Sequence, residues 1–175
     1  RDNRKCRMLI RSEWYQSLFG DKFELTGDQN AKTKFENDKS GFREAMSFES
    51  MTGSRGDRVI LDDPHSVSDA ASTAKLATTI ETFNEALPTR LNDPEHSAIV
   101  VVMQRLNEGD VSGEIISREL GYEHLCIPME FEPERKCYTS IGWEDPRKVD
   151  GELFFPERFP RDVVERDKVV MGSYA

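Results

Sequence analysis

An unbroken apolar run of six residues, from Ala98 to Met103, is the feature that most constrains the fold of this chain. A strand that is apolar at every position predicts a sheet that is covered on both faces. A second β-branched run lies upstream at residues 58–61, and a segment of about five helical turns with an apolar stripe separates the two runs. Strand, helix and strand form a βαβ crossover, so the two strands are predicted to be parallel.

The crossover helix has clear boundary signals in the sequence. Its apolar stripe covers residues 67–87, and Pro88 is predicted to end it. Ser66 is the predicted N-cap, with Asp69 three residues on in a near capping-box arrangement.

The rest of the chain contains shorter predicted elements. They are an amphipathic helix over residues 3–19 that Gly20 ends, short strands at 23–26, 33–36 and 42–46 with turns at 27–28 and 40–41, a helix from Asp110 to Gly121, and a strand at 124–129. Beyond Pro133 the pattern gives way to proline-punctuated segments, which predicts an extended connector. We therefore expect a globular part at residues 1–135 and a linker region at 136–175.

Charge and cysteine usage exclude several classes of protein. The chain has 24 Lys and Arg against 33 Asp and Glu, a net charge of −9, so it should not coat DNA with its whole surface. Its three cysteines lack metal-binding spacing, which favours reduced thiols over a disulfide scaffold or a zinc site. Six apolar residues are too few to span a membrane. A basic cluster with helical spacing, typical of a solvated helix face, comprises Arg1, Arg4, Lys5, Arg7 and Arg11.

Polar pairs follow both strands of the predicted crossover. Asp62 and Asp63 come directly after the first strand, and Gln104 and Arg105 directly after the second. Ligands of open parallel sheets bind beyond the carboxyl ends of the strands, so we expect the four side chains to meet in one crevice. Each pair also has a simpler interpretation, as a chain turn for the acids and as a solvated strand end for Gln104 and Arg105.

An apolar strand that ends in two acids matches the Walker B pattern of nucleotide hydrolases. Asp62 would hold hydrated Mg²⁺, and Asp63 would polarise the water that attacks the γ-phosphate. Gln104 and Arg105 would then sense that phosphate. No phosphate loop of the form G-x-x-x-x-G-K-[ST] occurs in the sequence, so either the loop lies upstream of Arg1 or the chain is not an NTPase.

A family resemblance rests on several strings that occur in order along nearly the whole chain. They are Glu13-Trp14-Tyr15, Gly27-Asp28-Gln29-Asn30, Arg55-Gly56-Asp57, Val59-Ile60-Leu61-Asp62-Asp63-Pro64-His65, Thr89-Arg90-Leu91-Asn92-Asp93-Pro94, Val100-Val101-Val102-Met103-Gln104-Arg105-Leu106 and Gly151-Glu152-Leu153-Phe154-Phe155-Pro156-Glu157-Arg158-Phe159. The set resembles the terminase large subunit of tailed bacteriophages and prophages, and the last string resembles the linker before that family's nuclease domain.

The resemblance implies an ATP-driven DNA-packaging motor. The implied fold is a partial P-loop NTPase of the additional-strand, RecA-like class, a three-layer α/β structure with a mainly parallel sheet. The implied cofactors are ATP and Mg²⁺. The implied partners are double-stranded viral DNA, the small terminase subunit, the portal of the procapsid and further copies of the chain in a ring, all in the host cytoplasm. The family's phosphate loop would precede residue 1, and its RNase H-like nuclease would follow residue 175.

The same resemblance assigns roles to individual residues. It implies that Asp62 is the Mg²⁺ ligand, that Asp63 is the catalytic carboxylate, and that Gln104 and Arg105 belong to the coupling motif. Arg55 would contact phosphate or a neighbouring subunit. Asn107 departs from the family, which more often has histidine there, so the role of this position stays open.

Two alternatives come from other functional classes. A catalytically silent binding or assembly domain would keep a P-loop-like fold without the phosphate loop. A metal nuclease built on Asp62 and Asp63 would need a third or fourth acid, for which the sequence offers no obvious candidate.

Overall fold

The fold mixes helices with two small sheets, in a computed structural model that describes residues 2–30, 33–51 and 53–172. The chain divides into two compact units, Arg1–Ser117 and Arg118–Ala175. The helices are α1 (Asp2–Ile10), α2 (Glu13–Phe19), α3 (Val67–Ala70), α4 (Thr73–Glu81), α5 (Val111–Ser117) and α6 (Arg161–Met171). The strands are β1 (Leu25–Asn30), β2 (Lys34–Asn37), β3 (Phe42–Glu44), β4 (Arg58–Asp62) and β5 (Ala98–Val102). Within the described ranges, no helix combines the length and apolar character of a transmembrane span.

The N-terminal segment forms two helices where the sequence predicts one. Ser12 interrupts the helix because its side chain accepts a hydrogen bond from the Tyr15 N–H and so caps α2. Gly20 follows α2 as its C-cap, which confirms the predicted end. Arg1 of the basic cluster lies outside the described residues.

Strands β1, β2 and β3 form an antiparallel sheet in that order, which confirms the three short strands expected here. Ser40 has φ +64° in the turn between β2 and β3, as the turn signal predicts. The other predicted turn is wrong, since Gly27 and Asp28 lie inside β1.

Strands β4 and β5 pair in parallel, as the crossover pattern predicts. The register joins Arg58 to Ala98 at one end and Asp62 to Val102 at the other. Both strands therefore end at the same edge of the sheet.

Among the described residues, only one face of this sheet is covered, whereas the sequence predicts cover on both. Ile60, Val100 and Val102 are 60%, 41% and 55% exposed, whereas Leu61 is buried. Successive side chains point to opposite faces of a strand, so one face packs inward and the other is open. Among the described residues this sheet has two strands, and its apolar composition alone did not reveal which face packs.

The crossover between β4 and β5 is a series of short helical segments, so the prediction of one continuous helix is wrong. Ser66 caps α3 by accepting the Asp69 N–H at 3.1 Å, as predicted. Ser72 then caps α4, which breaks the helix, although the apolar stripe continues. A π-helical stretch, Thr82–Ala86, and a 3₁₀ turn, Leu87–Arg90, follow, with Pro88 near the start of that turn rather than beyond its end.

Helix α5 begins at the predicted place and ends early. Asp110 is its N-cap: its carboxylate accepts the Gly113 N–H at 2.8 Å, and its carbonyl accepts the Glu114 N–H. The helix ends at Ser117, well before Gly121. The strand predicted at 124–129 does not form.

In the second unit, Arg147 organises the packing. Its guanidinium pairs with buried Asp145 at 2.7 Å and lies over the rings of Phe131 and Phe154. It also donates to the carbonyls of Met129 and Glu152. Helix α6 belongs to this unit, whose boundary at 117/118 lies upstream of the division expected at 135/136. A linker role for residues 136–175 stays a prediction.

Replacing Gly113 tests how tightly α5 packs on the loop before it. A Cβ at this position would lie 1.8 Å from the Glu108 carbonyl oxygen, so the backbone would have to move. We expect Gly113→Ala to lower the free energy of unfolding by about 1–3 kcal/mol in urea titrations. Gly109→Ala is the matched control, because its nearest contact would be at 3.6 Å, and it should change stability by less than about 0.5 kcal/mol. Equal stability of the two variants would contradict this packing.

Candidate functional site

The carboxyl end of β4 turns sharply at Asp63. Its backbone N–H still donates to the Val102 carbonyl at 2.9 Å, one step beyond the last paired residue of the strand. Its φ is +47°, in the left-handed region, and Pro64 follows. Asp and Asn tolerate this region better than other residues with side chains, but it still costs about 1 kcal/mol. Local strain of this kind is concentrated at functional sites in proteins.

The structure joins the Asp63 side chain to the backbone of Gln104, which is one part of the predicted meeting of four side chains. The Gln104 N–H donates to Asp63 Oδ1 at 3.3 Å, so the carboxylate links the loops that follow β4 and β5. Beside this bond lies an open pocket of about 360 Å³, whose lining comprises Asp63, His65, Ser66, Val67, Gln104 and Leu106. We call the carboxyl end of the β4–β5 pair, with Asp62, Asp63, Gln104 and this pocket, the rim.

Arg105 is engaged with a buried carboxylate next to the rim. Its Nε lies 3.2 Å from Oδ1 of Asp110, which is fully buried. The other Asp110 oxygen accepts the N–H groups of Leu106 at 3.0 Å and Asn107 at 3.3 Å. Burial by itself raises the pKa of Asp110, but the three backbone donors, together with Arg105, outweigh it and hold the pKa below its ordinary value. Asp110 is therefore negatively charged, and its hydrogen bonds and ion pair hold residues 105–113 in place.

Asp62 and Arg55 lie apart from the contacts of Asp63 and Asp110. Asp62 is exposed and shares the open face of the sheet with Ile60 and Val102. Arg55 is exposed and precedes β4, so it lies beyond the opposite end of that strand from Asp62. The structure thus brings Asp63 and Gln104 together, places Asp62 at the same strand end, and leaves Arg55 away from the rim.

His65 contributes a contact that the sequence did not reveal. The residue is 3% exposed, and its Nε2 accepts the Val111 N–H at 3.1 Å. An Nε2 that accepts carries no proton, so a neutral ring has its proton on Nδ1, which finds no hydrogen-bond partner among the described residues. Burial lowers the pKa of His65, although the nearby carboxylates of Asp110 and Asp69 act in the opposite direction. The sequence signal was weak, since a histidine at a helix entry is common.

Asn107 has a structural explanation. Its side-chain amide donates to the Ala70 carbonyl at 3.1 Å, and its Oδ1 accepts the Gly109 N–H at 2.9 Å. The residue therefore ties the loop after β5 to the end of α3.

Asp62 and Asp63 are the carboxylates at the rim that could hold a metal ion. A magnesium ion that arrives with a nucleotide takes one or two protein carboxylates, with phosphate oxygens and water completing its shell, and Asp62 and Asp63 are both exposed at the strand end. Groups of three or more Asp, Glu, His or Cys that could hold a metal are absent from the described ranges. A two-metal site or a closed zinc site would need such a group.

No protein-family model, curated protein or solved structure matches this chain.

The buried ring of His65 predicts a pH dependence of stability. Its pKa in the folded chain lies below the ordinary value of 6.5, so the unfolded chain binds more protons as the pH falls below 6.5. Stability is therefore full above pH 6.5 and decreases as the pH falls through the folded-state pKa. The upper end of this window, at pH 6.5, lies above the ordinary pKa of carboxylates. Urea unfolding between about pH 7.5 and 5 should show the decrease, and His65→Gln should make it shallower. Identical slopes in the two proteins would contradict a lowered pKa.

Proposed function

We propose that this chain is part of the ATP-hydrolysing motor of a tailed-phage DNA-packaging terminase, and that its rim is the acid-bearing side of the nucleotide site. The observation that carries the proposal is the bond between the Asp63 carboxylate and the Gln104 N–H, at the shared carboxyl end of two parallel strands. Ligands of open α/β sheets bind at this edge.

The proposed chemistry assigns each carboxylate one task. Asp62 holds the magnesium ion, which neutralises charge on the phosphates when a nucleotide is bound. Asp63 orients the attacking water and accepts its proton, and the strained backbone at this residue supports a functional role. Because Asp63 accepts the Gln104 N–H, a change at the phosphate would reach the loop after β5 directly.

The proposal includes the wider architecture that the family resemblance implies. The sheet would belong to a three-layer P-loop NTPase of the additional-strand, RecA-like class, and further layers would cover the apolar face that exposes Ile60, Val100 and Val102. ATP and Mg²⁺ are the proposed cofactors. Double-stranded DNA, the small terminase subunit, the portal of the procapsid and a ring of copies are the proposed partners in the host cytoplasm. DNA contact would need a local patch, because the net charge is −9.

A silent binding or assembly domain is the second candidate. Two observations favour it: residues 1–175 contain no phosphate loop, and Arg105, the proposed sensor, is paired with Asp110. The gene sequence upstream of Arg1 separates the two candidates, because a G-x-x-x-x-G-K-[ST] string there is required for the motor.

The 175-residue chain by itself should hydrolyse ATP negligibly. The amide cradle and the lysine that bind the triphosphate are not in its sequence. Phosphate release by the purified chain should therefore match a blank that contains only buffer, MgCl₂ and ATP. Robust turnover would contradict the proposal that the phosphate-binding part of the site is not in these 175 residues.

Conservative substitutions at the rim test the proposal in the full-length protein. Asp63→Asn keeps the acceptor for the Gln104 N–H and tolerates a positive φ, so it removes the charge and little else. We expect it to lower kcat for DNA-stimulated ATP hydrolysis by about 10²–10⁴-fold, and Asp62→Asn to cause a comparable loss.

The matched control is Asp21→Asn, which changes an exposed acid whose only described ion pair is with its neighbour Lys22. It should retain full activity. Wild-type turnover from both rim variants would end the proposal.

A further inference from the structure

The loops after β4 and β5 are joined at two points. One is the bond from the Gln104 N–H to Asp63, and the other is the bond from the Val111 N–H to His65 Nε2. Between Gln104 and Val111 the chain folds onto the Asp110 carboxylate through the N–H groups of Leu106 and Asn107. These contacts form a closed circuit that starts and ends in the loop containing Asp63 and His65.

The contacts of this circuit hold different parts of the chain together. The hydrogen bonds and the ion pair that Asp110 makes through its carboxylate all lie within residues 105–113, so it makes that segment rigid but does not attach it to the loop after β4. Asn107 attaches the segment to Ala70, at the far end of α3. His65 makes the attachment two residues from Asp63, at the first residue of α5.

Packing alone does not explain a histidine here. His65 is 3% exposed, and its buried Nδ1 lacks a partner among the described residues. A buried polar group without a hydrogen bond is unfavourable, and an apolar ring would fill the same space without that penalty. The feature that distinguishes histidine from an apolar ring is its acceptor, Nε2, which binds the Val111 N–H.

We propose that His65 is a positioning residue, which sets the geometry of Asp63 relative to Gln104 by holding the start of α5 against the loop after β4. This inference deepens the proposed function, since Asp63 and Gln104 are its central pair. It does not place His65 in contact with a substrate.

Two amide substitutions test the proposal in the 175-residue chain. The Gln side chain reaches about as far as Nε2 and retains an acceptor, whereas the Asn side chain is one methylene shorter and does not reach Val111. Hydrogen exchange of the Gln104 amide is the readout. The Ala98 amide, which donates to the Asp57 carbonyl at the opposite end of the strand pair, is the internal control.

We expect His65→Asn to accelerate exchange at Gln104 by at least about fivefold while Ala98 keeps its protection, and His65→Gln to stay near wild type at both amides. Unchanged exchange at Gln104 in His65→Asn would overturn the proposal. So would equal acceleration at Gln104 and Ala98, since His65 would then merely support the whole fold. Equally accelerated exchange at Gln104 in His65→Asn and His65→Gln would also overturn it, because the effect would then not depend on a hydrogen-bond acceptor at residue 65.

Val111→Pro tests the same bond from the donor side, and it decides the question if His65→Asn does not fold. Proline lacks the N–H and is well accepted at the first position of a helix, where Val111 lies. It should accelerate Gln104 exchange as His65→Asn does, and the two changes together should add little to either alone. Full additivity, or normal protection of Gln104 in Val111→Pro, would overturn the proposal.

Kinetic measurements on the full-length protein separate this inference from the proposed function. In the full-length protein, His65→Asn should lower kcat more than it changes KM, and His65→Gln should restore most of the loss. If the full-length protein does not hydrolyse ATP, the proposed function fails, and the exchange of Gln104 still decides the role of His65.

Discussion

The parallel pairing of β4 with β5 is the interaction on which the rest of the first unit's candidate site depends. Its register ends with Asp62 beside Val102, and the next N–H, that of Asp63, continues the ladder. A slip by one residue would exchange the faces of a strand. Because β5 is apolar on both faces, burial specifies the register of this strand weakly, so the bonds that Asp63 makes to Val102 and Gln104 contribute to fixing it.

The features that the sequence predicted correctly depend on local chemistry. Parallel pairing followed from a strand, a helical stripe and a second strand, and the Ser66 cap followed from a hydroxyl before an apolar period. The two predicted helices that the structure shows to be interrupted share a cause. Ser12 and Ser72 each cap a new helix within a stripe whose spacing continues across the break, so periodicity alone could not show the interruption.

The side-chain partners at the rim could not be read from the sequence. Position in the strand predicted that Gln104 and Arg105 lie near Asp63, but not that a buried carboxylate five residues downstream would bind the guanidinium of Arg105. The contact of His65 with Val111 spans 46 positions and is made by a backbone N–H, for which no residue type gives a signal. Burial of one sheet face likewise depends on neighbouring elements.

Two unfavourable features lie within three residues of the loop after β4. Asp63 holds a left-handed backbone before a proline, and His65 buries a ring nitrogen that has no partner among the described residues. Folded proteins are stable by a narrow margin, so such costs are informative about what a segment does. Positive φ alone is not distinctive, because Ser40 has it in the ordinary turn between β2 and β3, so the distinctive feature is its combination with the buried ring nitrogen of His65. The proposed catalytic role of Asp63 would give a reason for both costs at this end of the strand pair.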